Sequence, residues 1–269
     1  LVTVPDSYPL PNKLDFAERM AGCIIFSKVV LRKGYHQILM HPGDIPKTAI
    51  TTPFGLFEFL RMTFGLRNAG CTFQRYMDRV LAGLPFVFVY LDDIIIGSRS
   101  PAEHWAHLEA VFQRLHEAQL VINREKCVFG VPQLDFLGHS VSAQGTMPLA
   151  SPVEAIRAHP RPTVVKELQA FLGVINFYRR FVVGAARILK PFTELLKGSP
   201  KPTSPVVWSQ ALESAFVSAK AALSASTCLA HPAPGAELSL HVDASDHHIG
   251  AALQPVSYTH LRAHETDSY

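Results

Sequence analysis

Two neighbouring aspartates, Asp92 and Asp93, interrupt an otherwise apolar stretch of the chain. Residues 86–90 before them and 94–96 after them are aromatic or β-branched, which predicts a strand, a tight connection and a second strand. Two-residue hairpins usually carry Asn-Gly or Asp-Gly, and adjacent carboxylates at a hairpin tip repel each other. A positive partner is therefore expected, and a divalent metal ion is the obvious candidate.

The aspartate pair has two interpretations. Magnesium favours carboxylate and phosphate oxygens, and two such ions roughly 3.5–4 Å apart can stabilise the attacking and leaving oxygens of a phosphoryl transfer. The alternative is a solvated turn that happens to contain two acids. The pair alone does not decide between these interpretations.

Bulk properties argue against several classes of protein. The chain has 269 residues, enough for two domains, and 48% of them are apolar. No stretch approaches the roughly 20 apolar residues of a membrane span, and residues 1–10 do not have the pattern of a signal peptide. Four cysteines without a C-x-x-C pair favour a reduced, intracellular protein over a disulfide scaffold or a zinc site. The net charge of +3 permits a polyanionic partner without requiring one.

A helix is predicted to begin after Ser100. Ser100 can cap it, Pro101 suits its first position, and Glu103 completes an S-x-x-E capping box. Spacings of three and four residues predict a single buried face formed by Trp105, Leu108, Phe112 and Leu115.

The pattern of apolar, polar and turn residues also predicts the remaining strands and helices. Residues 48–64 predict a hairpin with Pro53 and Gly55 at its centre, and residues 127–141 predict short strands. After Pro148 the composition changes to one typical of helices. The helices are predicted at 68–81 in the first half and at 151–159, 164–182, 184–197 and 209–224 in the second, with a linker at 198–205 and a strand at 238–243.

Four further groups of residues, together with Tyr90-Leu91-Asp92-Asp93, resemble the motifs of one protein family. They are FSKVVLRKGYHQI at 26–38, FEF and FGLRNA between 57 and 69, EKC and FLGH between 125 and 139, and FLG and NFYRRF between 171 and 181. In this order and spacing they resemble the motifs of reverse transcriptases from gypsy-class LTR retrotransposons, over nearly all of residues 1–253. An unrelated metal-dependent domain with a chance Y-x-D-D would leave the other motifs unexplained.

The resemblance implies an α+β fold, that of a right-hand polymerase with an antiparallel palm sheet backed by helices. It implies partial fingers and palm in residues 1–145, a helical thumb or connection in 146–200, and the start of an RNase H-like α/β unit in 201–254. Residues 255–266 resemble a translated transposase-type sequencing adapter, so 255–269 are expected to lie outside the fold. The family's basic fingers segment is expected before Leu1, and both ends are expected to be truncated.

The family's functional residues carry over to several positions. Asp92 and Asp93 become metal ligands of a site for two Mg²⁺ or Mn²⁺ ions. Tyr35 takes the place of the aromatic ring that lies against the sugar and excludes a 2′-hydroxyl, and its alternative role is to pack beneath the palm. Gly65 and Arg67 fall where the backbone approaches the incoming nucleotide and the template, although a single arginine is more often solvated surface.

Two departures bear on activity. Val30 stands where the family has the aspartate that bridges both metals, and valine offers no oxygen. Thr63 replaces the usual proline before Phe64. In the RNase H-like unit Asp243 resembles the first metal carboxylate, and the remaining acids would lie beyond Gln254. Both the polymerase site and the nuclease site are therefore expected to be impaired in this copy.

Two functional hypotheses follow. By family, the chain is an RNA-directed DNA polymerase joined to RNase H, with RNA template, DNA primer, RNA/DNA hybrid and deoxynucleoside triphosphates as partners and with protease and integrase as other polyprotein modules. The alternative is a non-catalytic nucleic-acid-binding remnant, which Val30 favours. The resemblance implies an intracellular location, in cytoplasmic virus-like particles or in the nucleus, without a membrane partner.

Overall fold

Strands predominate in the first half of the chain and helices in the second. The computed structural model describes residues 3–13, 15–182, 184–225, 229, 231, 237–244 and 249–255. Its strands are β1 (Ile25–Val30), β2 (Ile50–Thr52), β3 (Gly55–Phe57), β4 (Val87–Tyr90), β5 (Asp93–Ser98), β6 (Val128–Val131), β7 (Gln133–Phe136), β8 (His139–Ser142), β9 (Gly145–Pro148), β10 (Leu238–Ala244) and β11 (Ile249–Pro255). Its α-helices are α1 (Phe16–Arg19), α2 (Ala69–Val80), α3 (Pro101–Glu117), α4 (Ala150–Arg157), α5 (Val165–Phe177), α6 (Ala185–Leu195) and α7 (Gln210–Ser224). Short 3₁₀ helices lie at Gly34–Gln37, Pro42–Thr48, Arg124–Lys126 and Arg179–Phe181.

A four-stranded antiparallel sheet forms the centre of the first half, with the strand order β4-β5-β1-β6. Along β5, Ile94 and Ile96 pack into a core shared with α2 and α3, whereas Ile95 packs in a second core with Phe16 of α1. Successive side chains of a strand point to opposite faces, so the sheet is covered on both sides. Burial on both faces explains why this segment is continuously apolar rather than alternating.

Helix α3 confirms the predicted cap and corrects the predicted face. The Glu103 backbone N–H donates to the Ser100 hydroxyl at 3.2 Å, and the Glu103 carboxylate accepts from the Arg99 backbone N–H at 2.6 Å. The predicted burial of Trp105 is wrong, because its side chain is 76% exposed. The buried face is instead formed by His104, Leu108, Val111 and Leu115, with Phe112 half-buried beside it.

The smaller sheets lie largely where the sequence predicts them, but β9 (Gly145–Pro148) lies beyond the predicted strands of residues 127–141. Strands β2 and β3 form the hairpin expected within residues 48–64, and Thr52 pairs with Gly55 at its turn. Strands β7, β8 and β9 form an antiparallel meander. The turn between β7 and β8 contains Gly138, whose φ of +84° favours glycine. These segments are predictable because their turn residues and alternation are local signals.

In the described residues, the helices of the second half share one hydrophobic core. Leu168, Phe171 and Ile175 form the buried stripe of α5, and all three are fully buried. Phe171 contacts Phe192 of α6 and Phe216 of α7 with ring centroids 6.3 and 4.9 Å apart. Helix α7 therefore packs into the same core as α5 and α6, although the sequence expectation places it in the unit that begins at residue 201.

Strands β10 and β11 form a separate antiparallel pair in which Leu238 lies opposite Pro255. Strand β11 therefore reaches the first residue of the tail that the sequence assigns to an adapter. Residues 256–269 lie outside the described part of the chain. Within the described ranges, no helix is both long enough and apolar enough to cross a bilayer.

Candidate active site

Strands β4 and β5 form a hairpin closed by only two residues, Leu91 and Asp92, and we call residues 87–98 the aspartate hairpin. Leu91 has a φ of +54°, whereas Asp92 is not among the residues with positive φ. A positive φ at the first central residue alone is typical of a type II′ turn, which normally places glycine there. Leu91 therefore adopts a backbone conformation that its side chain disfavours.

A buried glutamine supports this turn from below. Gln74 of α2 is fully buried, and its side-chain oxygen accepts from the Leu91 backbone N–H at 2.7 Å. Its side-chain nitrogen donates to the Val89 carbonyl at 3.1 Å and to the Asp78 carboxylate at 2.9 Å. Gln74 is a site residue that the sequence motifs do not single out. A polar residue beside Phe73 on the apolar face of an amphipathic helix is the signal that could have identified it.

Strand β1 brings Val30 to the aspartates. Val30 is the last residue of β1 and lies opposite Asp93 in the antiparallel register. The next residue, Leu31, donates its backbone N–H to the Asp92 carbonyl at 3.1 Å. Strand β1 therefore places Val30 next to the aspartate hairpin, with Asp93 as the directly paired residue.

The backbone around Val30 is fixed on its other side by the segment that follows α3. The Val30 carbonyl accepts from the Asn123 backbone N–H at 2.7 Å, and the Val30 backbone N–H lies 3.4 Å from the Cys127 sulfur. The valine side chain itself is only 7% exposed. Position 30 is therefore held beside the aspartates but contributes an apolar group.

Lysines partly offset the charge of the aspartate pair. Burial is the main cause that raises the pKa of Asp92, and the neighbouring charge of Asp93 raises it further. Lys126 and Lys28 act in the opposite direction. The Lys28 ammonium lies 3.6 Å from the Asp93 carboxylate. Within the described residues, no group of three histidine, cysteine or acidic side chains could hold a metal ion.

Tyr35 lies next to this site. Its ring contacts Phe64 and Phe73 with centroids 5.5 and 5.4 Å apart. Burial, followed by the charge of Asp92, raises the pKa of Tyr35. The preceding Gly34 allows this close approach, because a Cβ there would lie 2.9 Å from the Phe73 ring and 3.1 Å from the Asp92 Cβ. Tyr35 thus packs against Phe64 and Phe73 and also lies near Asp92.

The other expected site residues, Gly65, Arg67 and Asp243, have no described contact with Asp92 or Asp93. Gly65 has a φ of +87° and open space around it, and Arg67 is exposed. The described contacts do not join either residue to the aspartates, although Phe64 beside Gly65 contacts Tyr35. Asp243 lies in β10 opposite Gly250, in the separate two-stranded sheet.

Comparison with protein families gives two matches. The family described as "Reverse transcriptase (RNA-dependent DNA polymerase)" matches residues 2–141, more than half of the chain. The family described as "RNase H-like domain found in reverse transcriptase" matches residues 208–263.

Curated relatives are polyproteins of transposons. The Retrovirus-related Pol polyprotein from transposon 297 of Drosophila melanogaster is 40% identical over 265 residues, which cover 96% of this chain and 25% of the polyprotein. The Transposon Tf2-3 polyprotein of Schizosaccharomyces pombe is 33% identical over 267 residues, which cover 98% of this chain and 19% of the polyprotein. This chain thus spans a quarter or less of the length of these two relatives.

Solved structures share the fold. A foamy viral protease-reverse transcriptase in complex with double-stranded DNA superposes with a TM-score of 0.83 at 24% identity, covering 90% of this chain and 42% of that chain. The same kind of protein in complex with an RNA/DNA hybrid gives a TM-score of 0.81 at 24% identity, covering 90% and 33%. The expected α+β fold is confirmed. Together with the family matches and the similarity to transposon polyproteins, this shows that the chain belongs to the reverse transcriptase family.

Proposed function

We propose that this chain is the palm and thumb region of an RNA-directed DNA polymerase whose two-metal site is incomplete at Val30. The proposal rests on the pairing of Val30 with Asp93 in the sheet. The neighbouring Leu31 backbone N–H donates to the Asp92 carbonyl. The position at which the family places its third carboxylate is therefore adjacent to the two aspartates that remain.

The donor set does not fit a pair of divalent ions. A two-metal centre needs oxygen ligands shared between both ions to stabilise the attacking and leaving oxygens. Asp92 and Asp93 supply carboxylates, but Asp93 is already close to Lys28, and the Val30 side chain supplies no oxygen. Mg²⁺ also requires near-octahedral coordination by oxygen atoms. We infer that this copy holds the two ions poorly and is catalytically impaired.

Nucleic acids are the proposed partners. The two solved structures above contain double-stranded DNA and an RNA/DNA hybrid, which supports an RNA template, a DNA primer and their hybrid as partners. A deoxynucleoside triphosphate is the proposed substrate, with Tyr35 against its sugar and with Gly65 and Arg67 nearby. RNase H activity is proposed only for the parent polyprotein, since Asp243 is its single carried-over acid in this chain.

The competing proposal is a non-catalytic nucleic-acid-binding remnant. The observation in its favour is the same valine at position 30, since loss of the carboxylate removes metal ligation without altering the surface that would contact nucleic acid. The two proposals share their partners, and both expect no nucleotidyl transfer by the chain as it stands. They differ in whether Val30→Asp restores nucleotidyl transfer, and an activity assay of that variant therefore separates them.

Primer extension on an RNA template with Mg²⁺ or Mn²⁺ tests the proposal. The chain as it stands should give no detectable extension, and Val30→Asp should raise the rate by on the order of a hundredfold or more, the usual effect of one essential electrostatic group. Val30→Asn is the matched control, because it has nearly the same shape as aspartate but no charge, and it should remain inactive. Asp92→Asn in the Val30→Asp protein should abolish extension again. Equal rates for the unmodified chain and Val30→Asp would contradict our account of Val30.

A further inference from the structure

The side chain of Lys13 lies at the junction between the aspartate hairpin and the helical second half. Its ammonium nitrogen is 5.3 Å from the ring centroid of Tyr90, the last residue of β4. It is also 5.7 Å from the ring centroid of Phe177, the last residue of α5. Both distances are within the range of a cation–π interaction. The two rings therefore hold this exposed ammonium group between the sheet and α5.

A second cation, Arg180, lies near the same group of aromatic rings. The guanidinium carbon of Arg180 is 5.2 Å from the Phe181 ring centroid, and burial lowers the pKa of Arg180. Burial is the main cause that lowers the pKa of His139 in β8, and both Arg180 and Lys13 lower it further. His139 also contacts the Phe177 ring with centroids 5.4 Å apart. Lys13 and Arg180 therefore flank the same neutral imidazole.

Neither cation has a carboxylate partner within the described ranges. The ion pairs found there join other residues, and the lysine nearest to the aspartate hairpin in such a pair is Lys28. Aromatic faces attract a cation, but they do not neutralise its charge. A pair of uncompensated cations at one junction is suited to an anionic ligand.

We propose that Lys13 and Arg180 form a binding site for backbone phosphates of a nucleic-acid strand that enters the aspartate hairpin. The proposal rests on the proposed function, since it takes the anion to be part of primer–template duplex. Tyr90 is two residues from Asp92, and two residues of chain span at most about 7 Å. A strand that ends at the aspartates would therefore pass Lys13 within the first few nucleotides. Both residues act by positioning the strand, since neither is placed at the reacting atoms.

The test measures how duplex binding depends on salt. Fluorescence anisotropy of a labelled primer–template DNA duplex gives the affinity of the full chain between about 50 mM and about 200 mM salt. Each phosphate contact contributes roughly 0.9 to the slope of log affinity against log salt, so Lys13→Gln should weaken binding roughly eightfold at about 0.1 M salt and reduce the slope by about 0.9. The double variant Lys13→Gln with Arg180→Gln should reduce the slope by about 1.8.

Two controls separate a phosphate contact from a structural role. Lys13→Arg keeps the charge and should keep the slope of the unmodified chain. Lys197→Gln removes an exposed lysine that is paired with Glu194 in α6, and it should leave the slope unchanged. A Lys13→Gln slope equal to that of the unmodified chain would overturn the inference while the proposed function stands. Failure of the unmodified chain to bind the duplex at all would overturn both.

Discussion

Val30 places an apolar side chain beside two aspartates, at a site that is already rich in negative charge. Burial and Asp93 both raise the pKa of Asp92, so its ionised form is disfavoured in this position. A third carboxylate at position 30 would add repulsion unless a cation compensates for it. Valine avoids this repulsion, and its side chain offers no oxygen to a metal ion. Stability and metal binding should therefore respond to position 30 in opposite directions.

Thermal unfolding of Val30→Asp tests whether stability and metal binding respond to position 30 in opposite directions. Without divalent metal, the variant should be less stable than the unmodified chain by about 1–3 kcal/mol, because an unpaired charge is placed in a buried position. Mn²⁺ should raise its melting temperature more than that of the unmodified chain, because a ligand that binds only the folded state stabilises it. Val30→Asn should show little response to Mn²⁺. Equal metal responses for all three proteins would contradict a metal-binding role for position 30.

Gln74 explains how Leu91 is kept in its disfavoured conformation. The glutamine amide satisfies the Leu91 backbone N–H and the Val89 carbonyl at once. Gln74→Leu should leave both groups without this partner and reduce the free energy of unfolding, at about 1–3 kcal/mol for each buried unsatisfied group. Urea unfolding measures this change. Gln113→Leu is the matched control, since Gln113 donates only to the exposed Glu117 of the same helix, and it should change stability by less than about 0.5 kcal/mol. Equal effects of Gln74→Leu and Gln113→Leu on the free energy of unfolding would contradict the supporting role of Gln74.

At the scale of elements, α3 shows which predictions the sequence supports. The capping box is a local pattern, and the Ser100 and Glu103 hydrogen bonds follow it. The buried face is not local. His104 is polar and does not belong to the predicted face, but it is 4% exposed, with its ring nitrogens 2.7 Å from the hydroxyls of Ser27 and Ser98. Those partners lie on β1 and β5, so only the assembled sheet makes His104 a core residue and leaves Trp105 outside.

The aspartate hairpin shows the same division. Its two strands follow from apolar β-prone residues, and its catalytic assignment follows from family resemblance. The conformation of Leu91 could not be predicted, because turn propensity favours glycine at that position and the compensating contact comes from Gln74 on a different element. The order of strands β4-β5-β1-β6 likewise depends on non-local pairing. The sequence therefore identified the acids but not the residue that positions their turn.

Ser100→Ala tests the predicted cap of α3. It removes the hydroxyl that accepts from the Glu103 backbone N–H, and it should lower the free energy of unfolding by about 1 kcal/mol. Ser218→Ala is the matched control, because Ser218 is exposed inside α7. Alanine is the better helix former, so Ser218→Ala should leave stability unchanged or raise it by a few tenths of a kcal/mol. Urea unfolding measures whether each variant lowers or raises the free energy of unfolding. Equal changes for the two variants would show that the cap contributes nothing.

At the scale of the whole molecule, two buried histidines join separate elements. His104 connects α3 to the strands that carry Ser27 and Ser98. His139 connects β8 to the end of α5, where its ring lies 5.4 Å from Phe177 and 5.8 Å from Tyr178. One His139 nitrogen is close to the Leu137 carbonyl, and the other is buried without a partner in the described residues. The contacts of both His104 and His139 suit an uncharged imidazole ring.

These two histidines should make the fold sensitive to mild acid. Burial is the main cause that lowers the pKa of both His104 and His139 below 6.5. The unfolded chain therefore binds protons at a higher pH than the folded chain, and the stability present above about pH 6.5 is lost as the pH falls toward the folded-state pKa values. Urea unfolding between about pH 7.5 and about pH 5 should show this loss. His139→Phe should reduce the pH dependence, since it removes one of the two groups, whereas His116→Gln, at an exposed site on α3, should leave it as in the unmodified chain. A pH dependence that survives His139→Phe undiminished would show that this buried imidazole is not one of its sources.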